Sequence, residues 1–174
     1  MIEDVLVIGY GNALRTDDGL GWHAAERLAA DPRAAGATIL RRHQLTPELA
    51  LDLSRAAFAI FVDAGNGPPG SLTVEPVRAA GDAGPGWSHH VDPGALLALA
   101  RELYGRCPEA VAVSVGLASD GAGEHLSPPI AALLPTVVEE VLRLMVGRAA
   151  GADTTGLRAR SRMSSGVAGT VADA

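Results

Sequence analysis

The chain alternates short, uninterrupted apolar runs with amphipathic stretches. Val5-Leu6-Val7-Ile8 stops at Gly9, and Phe58-Ala59-Ile60-Phe61-Val62 ends at Asp63-Ala64-Gly65. Runs of this length without polar alternation fit strands buried on both faces, as in parallel sheets. Residues 37–42 and 110–115 read as further strands. Helical patterns lie between them. Leu20, Ala24 and Leu28 recur at helical spacing up to about Ala30, behind an Asp17-Asp18 pair placed where an N-cap and a first turn belong. Thr46-Pro47-Glu48 supplies a cap residue, a proline at the first helical position and an acid, opening a helix that ends near Ala56. Asp92-Pro93 opens another by the same logic, running to about Tyr104. Ser127-Pro128 opens the last, with apolar positions through Met145; Pro135 falls inside it and is expected to kink it or split it in two.

Strands alternating with helices predict βαβ units, and so an α/β fold whose mostly parallel central sheet is covered on both faces. Residues 70–77 alternate only weakly and precede the Gly-rich stretch 79–86, so they read as an exposed, antiparallel edge strand. After Arg148 the chain turns small and polar. Residues 150–174 cannot bury enough apolar surface to offset the entropy of ordering them and are expected to form a disordered tail, leaving 1–149 as one α/β domain.

Composition narrows the function. With 174 residues, 14 Lys+Arg against 20 Asp+Glu, a net charge of −6 and only 3% aromatic residues, neither a basic nucleic-acid footprint nor a base-stacking platform is expected. Every basic residue is Arg; the absence of Lys excludes Schiff-base chemistry and a P-loop lysine. The single cysteine, Cys107, excludes an intrachain disulfide framework and a multi-cysteine zinc site, and suits the cytoplasm. It sits between Arg106 and Pro108 and reads as packing. No apolar run reaches the ~18 residues of a membrane span. The acidic start Met1-Ile2-Glu3-Asp4 does not read as a signal peptide. A cytoplasmic monomer is expected.

In open α/β sheets, ligands bind beyond the carboxyl ends of the strands. Asp17 and Asp18 follow the first strand, Asp63 ends the third, and His89 and His90 precede the Asp92 helix. Two carboxylates and an imidazole from separate segments on one rim suit a divalent transition metal. Each also has a plain structural reading: an N-cap for Asp17 or Asp18, a turn for Asp63, a solvated loop for the histidines. His43 lies near the same rim, in a supporting or solvated role, whereas His23 and Glu124-His125 read as surface, packing or loop polarity. Gly9-x-Gly11 lacks the third glycine of the dinucleotide fingerprint. His-Glu-x-x-His and Gly-x-Ser-x-Gly are both absent.

The opening Val7-Ile8-Gly9-Tyr10-Gly11-Asn12-Ala13-Leu14-Arg15-Thr16-Asp17-Asp18-Gly19-Leu20-Gly21 resembles the N-terminal signature of the hydrogenase maturation endopeptidases: a hydrophobic strand, Gly-x-Gly-Asn, a linker, Asp-Asp or Asp-Glu, then Gly-x-Gly. The resemblance continues through Phe61-Val62-Asp63-Ala64, Ser88-His89-His90, Leu103-Tyr104-Gly105 with Pro108, and Gly123-Glu124-His125-Leu126-Ser127-Pro128. It implies a three-layer α/β/α sandwich. It also implies an endopeptidase that removes the C-terminal extension of a [NiFe]-hydrogenase large-subunit precursor after nickel insertion. The matching metal-contacting positions are Asp18, Asp63 and His90, with nickel carried by the precursor and no organic cofactor. The one departure is Asp18, where the family often carries Glu; the charge is kept on a side chain one methylene shorter. The contrasting reading is a non-proteolytic nucleotide- or anion-binding module that uses residues 9–12 and the first helix N-terminus as a cradle.

Overall fold

The computed structural model describes residues 4–81 and 91–149. The expected tail, 150–174, lies outside the described residues. Five strands form one sheet: β1 (Val5–Tyr10), β2 (Thr38–Arg42), β3 (Phe58–Gly65), β4 (Leu72–Val77) and β5 (Glu109–Gly116). Among the described residues, four α-helices accompany them: α1 (Leu20–Ala30), α2 (Leu49–Arg55), α3 (Pro93–Tyr104) and α4 (Pro128–Ala149). The strand order is β2-β1-β3-β5-β4. β1 runs parallel to β2 and β3, and β3 to β5; β4 is antiparallel to β5. The edge place of β4 accommodates Pro76, which has no N–H to give to a neighbour.

The period of two along a strand divides the core into layers. Val5 and Val7 of β1, Phe58, Ile60 and Val62 of β3, and Val111, Val113 and Val115 of β5 pack with Leu20, Ala24 and Leu28 of α1 and the apolar stripe of α4. The alternate positions Leu6, Ile8, Ala59, Phe61 and Ala110 pack with Leu49 and Leu53 of α2 and Leu96, Leu97 and Ala100 of α3. Helices thus cover both faces, and the fold is a three-layer α/β/α sandwich. Cys107 is partly buried against the second layer, as its packing role predicts.

Two local expectations change. Pro135 does not split the last helix, which runs unbroken through it. A proline inside a helix costs roughly 3 kcal/mol. That loss is outweighed because Ile130, Leu134, Val137, Val141 and Met145 are buried, each contributing about 1.5–3 kcal/mol. The Asp17-Asp18 pair does not cap α1 either. It lies in a short 3-10 turn, Thr16–Gly19, ahead of the helix, whose own N-cap position is Gly19. Asp92 behaves as expected: its Oδ1 accepts the Ala95 N–H at 2.7 Å, with Pro93 at the first helical position and Gly105 left-handed at the far end (φ 74°). Among the described residues, no helix is long and apolar enough to cross a membrane.

Candidate functional site

The chain leaves β1 toward β2 on one side and later crosses to β3 on the other, so the carboxyl ends of β1 and β3 form the switch point where ligands bind in such sheets. A cleft of about 210 Å³ opens there, lined by residues that include Tyr10, Asp18, His43, Asp63 and Val91.

The segment after β1 folds back tightly over the strand end. Gly11 has φ +135°, and a Cβ there would stand 1.9 Å from the Asp18 carbonyl oxygen. Close packing of α1 on the sheet likewise depends on Gly21, where a Cβ would meet the Val62 carbonyl oxygen at 2.1 Å. These approaches explain the glycines of the signature and bring Asp18 over the end of β1. Its Oδ2 accepts the Asn12 N–H at 2.8 Å.

The two adjacent aspartates have opposite surroundings. Asp17 is fully buried. Its Oδ2 accepts the N–H groups of Ala118 (3.1 Å) and Ser119 (2.7 Å) and the Ser127 hydroxyl (2.8 Å); its Oδ1 accepts the Ser127 N–H (2.7 Å). It ties the loop between β5 and α4 to the loop after β1. Thr16 strengthens the same junction: its N–H donates to the Gly123 carbonyl at 2.9 Å and its hydroxyl to the Ser119 carbonyl at 2.9 Å. These bonds hold Thr16 at φ 38°, a region β-branched residues rarely occupy. Asp17 is therefore a structural organiser, and Asp18 is the member of the pair on the cleft.

Asp63 stands on β3 directly opposite Ser114 of β5. Its Oδ1 accepts the Ser114 hydroxyl at 2.5 Å and its Oδ2 the Tyr10 hydroxyl at 2.9 Å. Burial pushes its pKa above the ordinary carboxylate value; the Ser114 and Tyr10 hydrogen bonds pull it down, and the Asp18 charge pushes it up again, with a net rise. Burial, followed by the charge of Asp63, raises the Tyr10 phenol well beyond its usual range, so it stays protonated. Neither Asp18 nor Asp63 forms an ion pair with any described residue.

Sequence reasoning thus finds Asp18, Asp63 and His43 on one cleft, and misses Tyr10 and Ser114. The available signal was Ser114 itself, a polar residue inside the otherwise apolar run 110–115. His90, the third expected metal contact, and its neighbour His89 lie outside the described residues. Among the described residues, no three His, Cys, Asp or Glu side chains come together as a metal site.

No family model matches the chain, and no curated protein matches it in sequence. Solved structures do share its fold. The hydrogenase maturating endopeptidase HybD from E. coli is 24% identical, with 91% of this chain and 97% of that one aligned at a TM-score of 0.65. The [NiFe] hydrogenase maturation protease HycI from Thermococcus kodakarensis KOD1 is 22% identical over 82% and 92% of the two chains, with a TM-score of 0.64. The hydrogenase 2 maturation peptidase from Thaumarchaeota archaeon SCGC_AB-539-E09 is 23% identical over 87% and 100%, with a TM-score of 0.61. The fold is that of the hydrogenase maturation endopeptidases.

Proposed function

We propose that the chain is an endopeptidase that removes the C-terminal extension of a [NiFe]-hydrogenase large-subunit precursor once nickel has been inserted. The observation that carries this reading is the Asp18–Asp63 pair: two carboxylates from separate segments, on one cleft at the sheet's switch point, without a cationic partner among the described residues. A half-buried carboxylate beside another favours a bound cation, which relieves both desolvation and like-charge repulsion. The shared fold with maturation endopeptidases supports the same conclusion.

Asp18, Asp63 and His90 contact the nickel that the precursor brings, and no organic cofactor takes part. Carboxylate oxygen and imidazole nitrogen suit a divalent transition metal. Val91, the residue after His90 in the sequence, lines the cleft. Docking on nickel ties hydrolysis to precursor maturity: water is added across one peptide bond, leaving a new carboxyl terminus and a short released peptide. The protein acts as a cytoplasmic monomer.

The anion-cradle reading loses support in the loop after β1. The N–H groups of Gly11, Asn12, Leu14, Arg15, Thr16, Asp17 and Asp18 are already donated to Arg42, Asp18, Asn12, Asn12, Gly123, Ser119 and Arg15 respectively. A carboxylate on the cleft also repels a phosphate.

Purified protein mixed with nickel-loaded precursor is expected to shorten it on a gel, whereas nickel-free precursor stays full length. Equal cleavage of both contradicts the metal-reading role. His90→Ala is expected to lose processing by orders of magnitude and His89→Ala to keep most of it, because the family resemblance places its histidine two residues after Ser88. Docking needs a neutral imidazole, because a protonated ring has no lone pair for a metal. A dead His89→Ala with an active His90→Ala would reverse the assignment.

A further inference from the structure

Asp63 is gripped on both oxygens by hydroxyls from the two strands that flank its own. Tyr10 is the unspecified position of the Gly-x-Gly-Asn motif, and Ser114 lies outside every motif of the resemblance. We propose that Tyr10 and Ser114 are positioning residues for Asp63, fixing its carboxylate toward the cleft so that docking of the precursor's nickel depends on both hydroxyls. The proposal rests on the reading of Asp63 as a nickel contact.

The geometry follows from the period of two. Leu6 and Ile8 of β1, Ala59 and Phe61 of β3, and Ala110 of β5 face the α2/α3 layer. Tyr10, Asp63 and Ser114 continue these alternations by an even number of residues, so all three emerge on one face at the carboxyl end of adjacent strands. The terminal torsion of an aspartate is broad, and a free carboxylate swings about it. One donor at each oxygen, Ser114 at Oδ1 and Tyr10 at Oδ2, removes that freedom.

The donors are themselves anchored. Ser114 is paired on both sides within the sheet, with Asp63 and with Thr73. Tyr10 forms part of the cleft wall and its hydroxyl lies 2.9 Å from Asp63 Oδ2. Neutral donors also suit the task better than arginine. They orient the carboxylate and leave its negative charge available to a cation, whereas a guanidinium would neutralise it.

The test compares crystal structures and processing rates of the wild-type chain, Tyr10→Phe, Ser114→Ala, the double variant and Ser114→Thr. Tyr10→Phe and Ser114→Ala remove one oxygen each; Ser114→Thr keeps the hydroxyl. In each single deletion the Asp63 carboxyl is expected to rotate or occupy alternate positions, and cleavage of nickel-loaded precursor to fall about 10–100-fold. Ser114→Thr is expected to preserve both the carboxyl position and the rate. An unmoved Asp63 carboxyl in the double variant overturns the proposal, whatever the rates. A displaced carboxyl with an unchanged rate overturns it as well. If the carboxyl moves as expected but the wild-type chain does not cleave nickel-loaded precursor, the endopeptidase reading falls and the positioning of Asp63 stands. A purely packing role predicts that Tyr10→Phe is silent and Ser114→Thr is worse than Ser114→Ala.

Discussion

Asp63→Asn is expected to abolish precursor processing, by a factor of at least about 10²–10³, while the fold stays intact and becomes no less stable at neutral pH. The amide is nearly isosteric but carries no charge for a cation. Its Oδ1 accepts one of the two hydroxyls that grip the native carboxylate, and its NH₂ donates to the other, since tyrosine and serine hydroxyls accept as well as donate. The stability direction follows from the raised pKa of Asp63. The folded protein binds that proton more readily than the unfolded chain. In the window between the ordinary carboxylate value and the raised one, stability therefore falls as pH rises and is regained as pH falls. Removing the charge removes this penalty. Circular dichroism and thermal melts at pH 7 and pH 5, run beside a gel-based cleavage assay, check each part. Retained turnover would leave Asp63 without a role in processing, and a collapse in melting temperature would make it structural.

Asp17→Ala is expected to produce the largest stability loss of any single substitution around the cleft. Truncation leaves the N–H groups of Ala118, Ser119 and Ser127 without their acceptor. A fully buried donor left unsatisfied costs about 1–3 kcal/mol; Ala118 is exposed and Ser119 and Ser127 are half-buried, so water replaces part of what is lost and the total is a few kcal/mol. A domain of this size is stable by only about 5–15 kcal/mol. The strained turn at Thr16 shares its anchor points with Asp17 and loosens with it. Asp18→Ala gives up one contact, to the Asn12 N–H, and should shift the urea midpoint far less while removing processing. Chemical denaturation of the two variants side by side decides the matter. Similar midpoints for both would mean that Asp17 does not anchor the loop between β5 and α4.

The architecture was legible because parallel strands buried on both faces must be apolar without interruption. The runs 5–8, 58–62 and 110–115 announced the three central strands, and the weak alternation of 70–77 announced the antiparallel edge. Asp18 and Asp63 come to one place because residues just past parallel strands share an end of the sheet. Pro135 does not split its helix because its cost is local, whereas the burial that offsets it is contributed by several other elements.

Apart from the family resemblance, which points to Asp18, nothing in the sequence separates the two aspartates of the pair. Both are acids ahead of a helix, and both read as caps. Their roles separate only because the loop between β5 and α4, a hundred residues further on, brings its amides to Asp17 and leaves Asp18 on the cleft. Tyr10 and Ser114 were hidden for a related reason. A period of two places each on a known face of its own strand, but which strands are neighbours is set by the crossover from β2 to β3. The sequence by itself determined the layers, the rim and the carboxylates available there. Only the tertiary structure decided that Asp17 ties two loops together and that the Tyr10 and Ser114 hydroxyls hold Asp63, because hydrogen bonds between distant segments exist only once the strand order is closed.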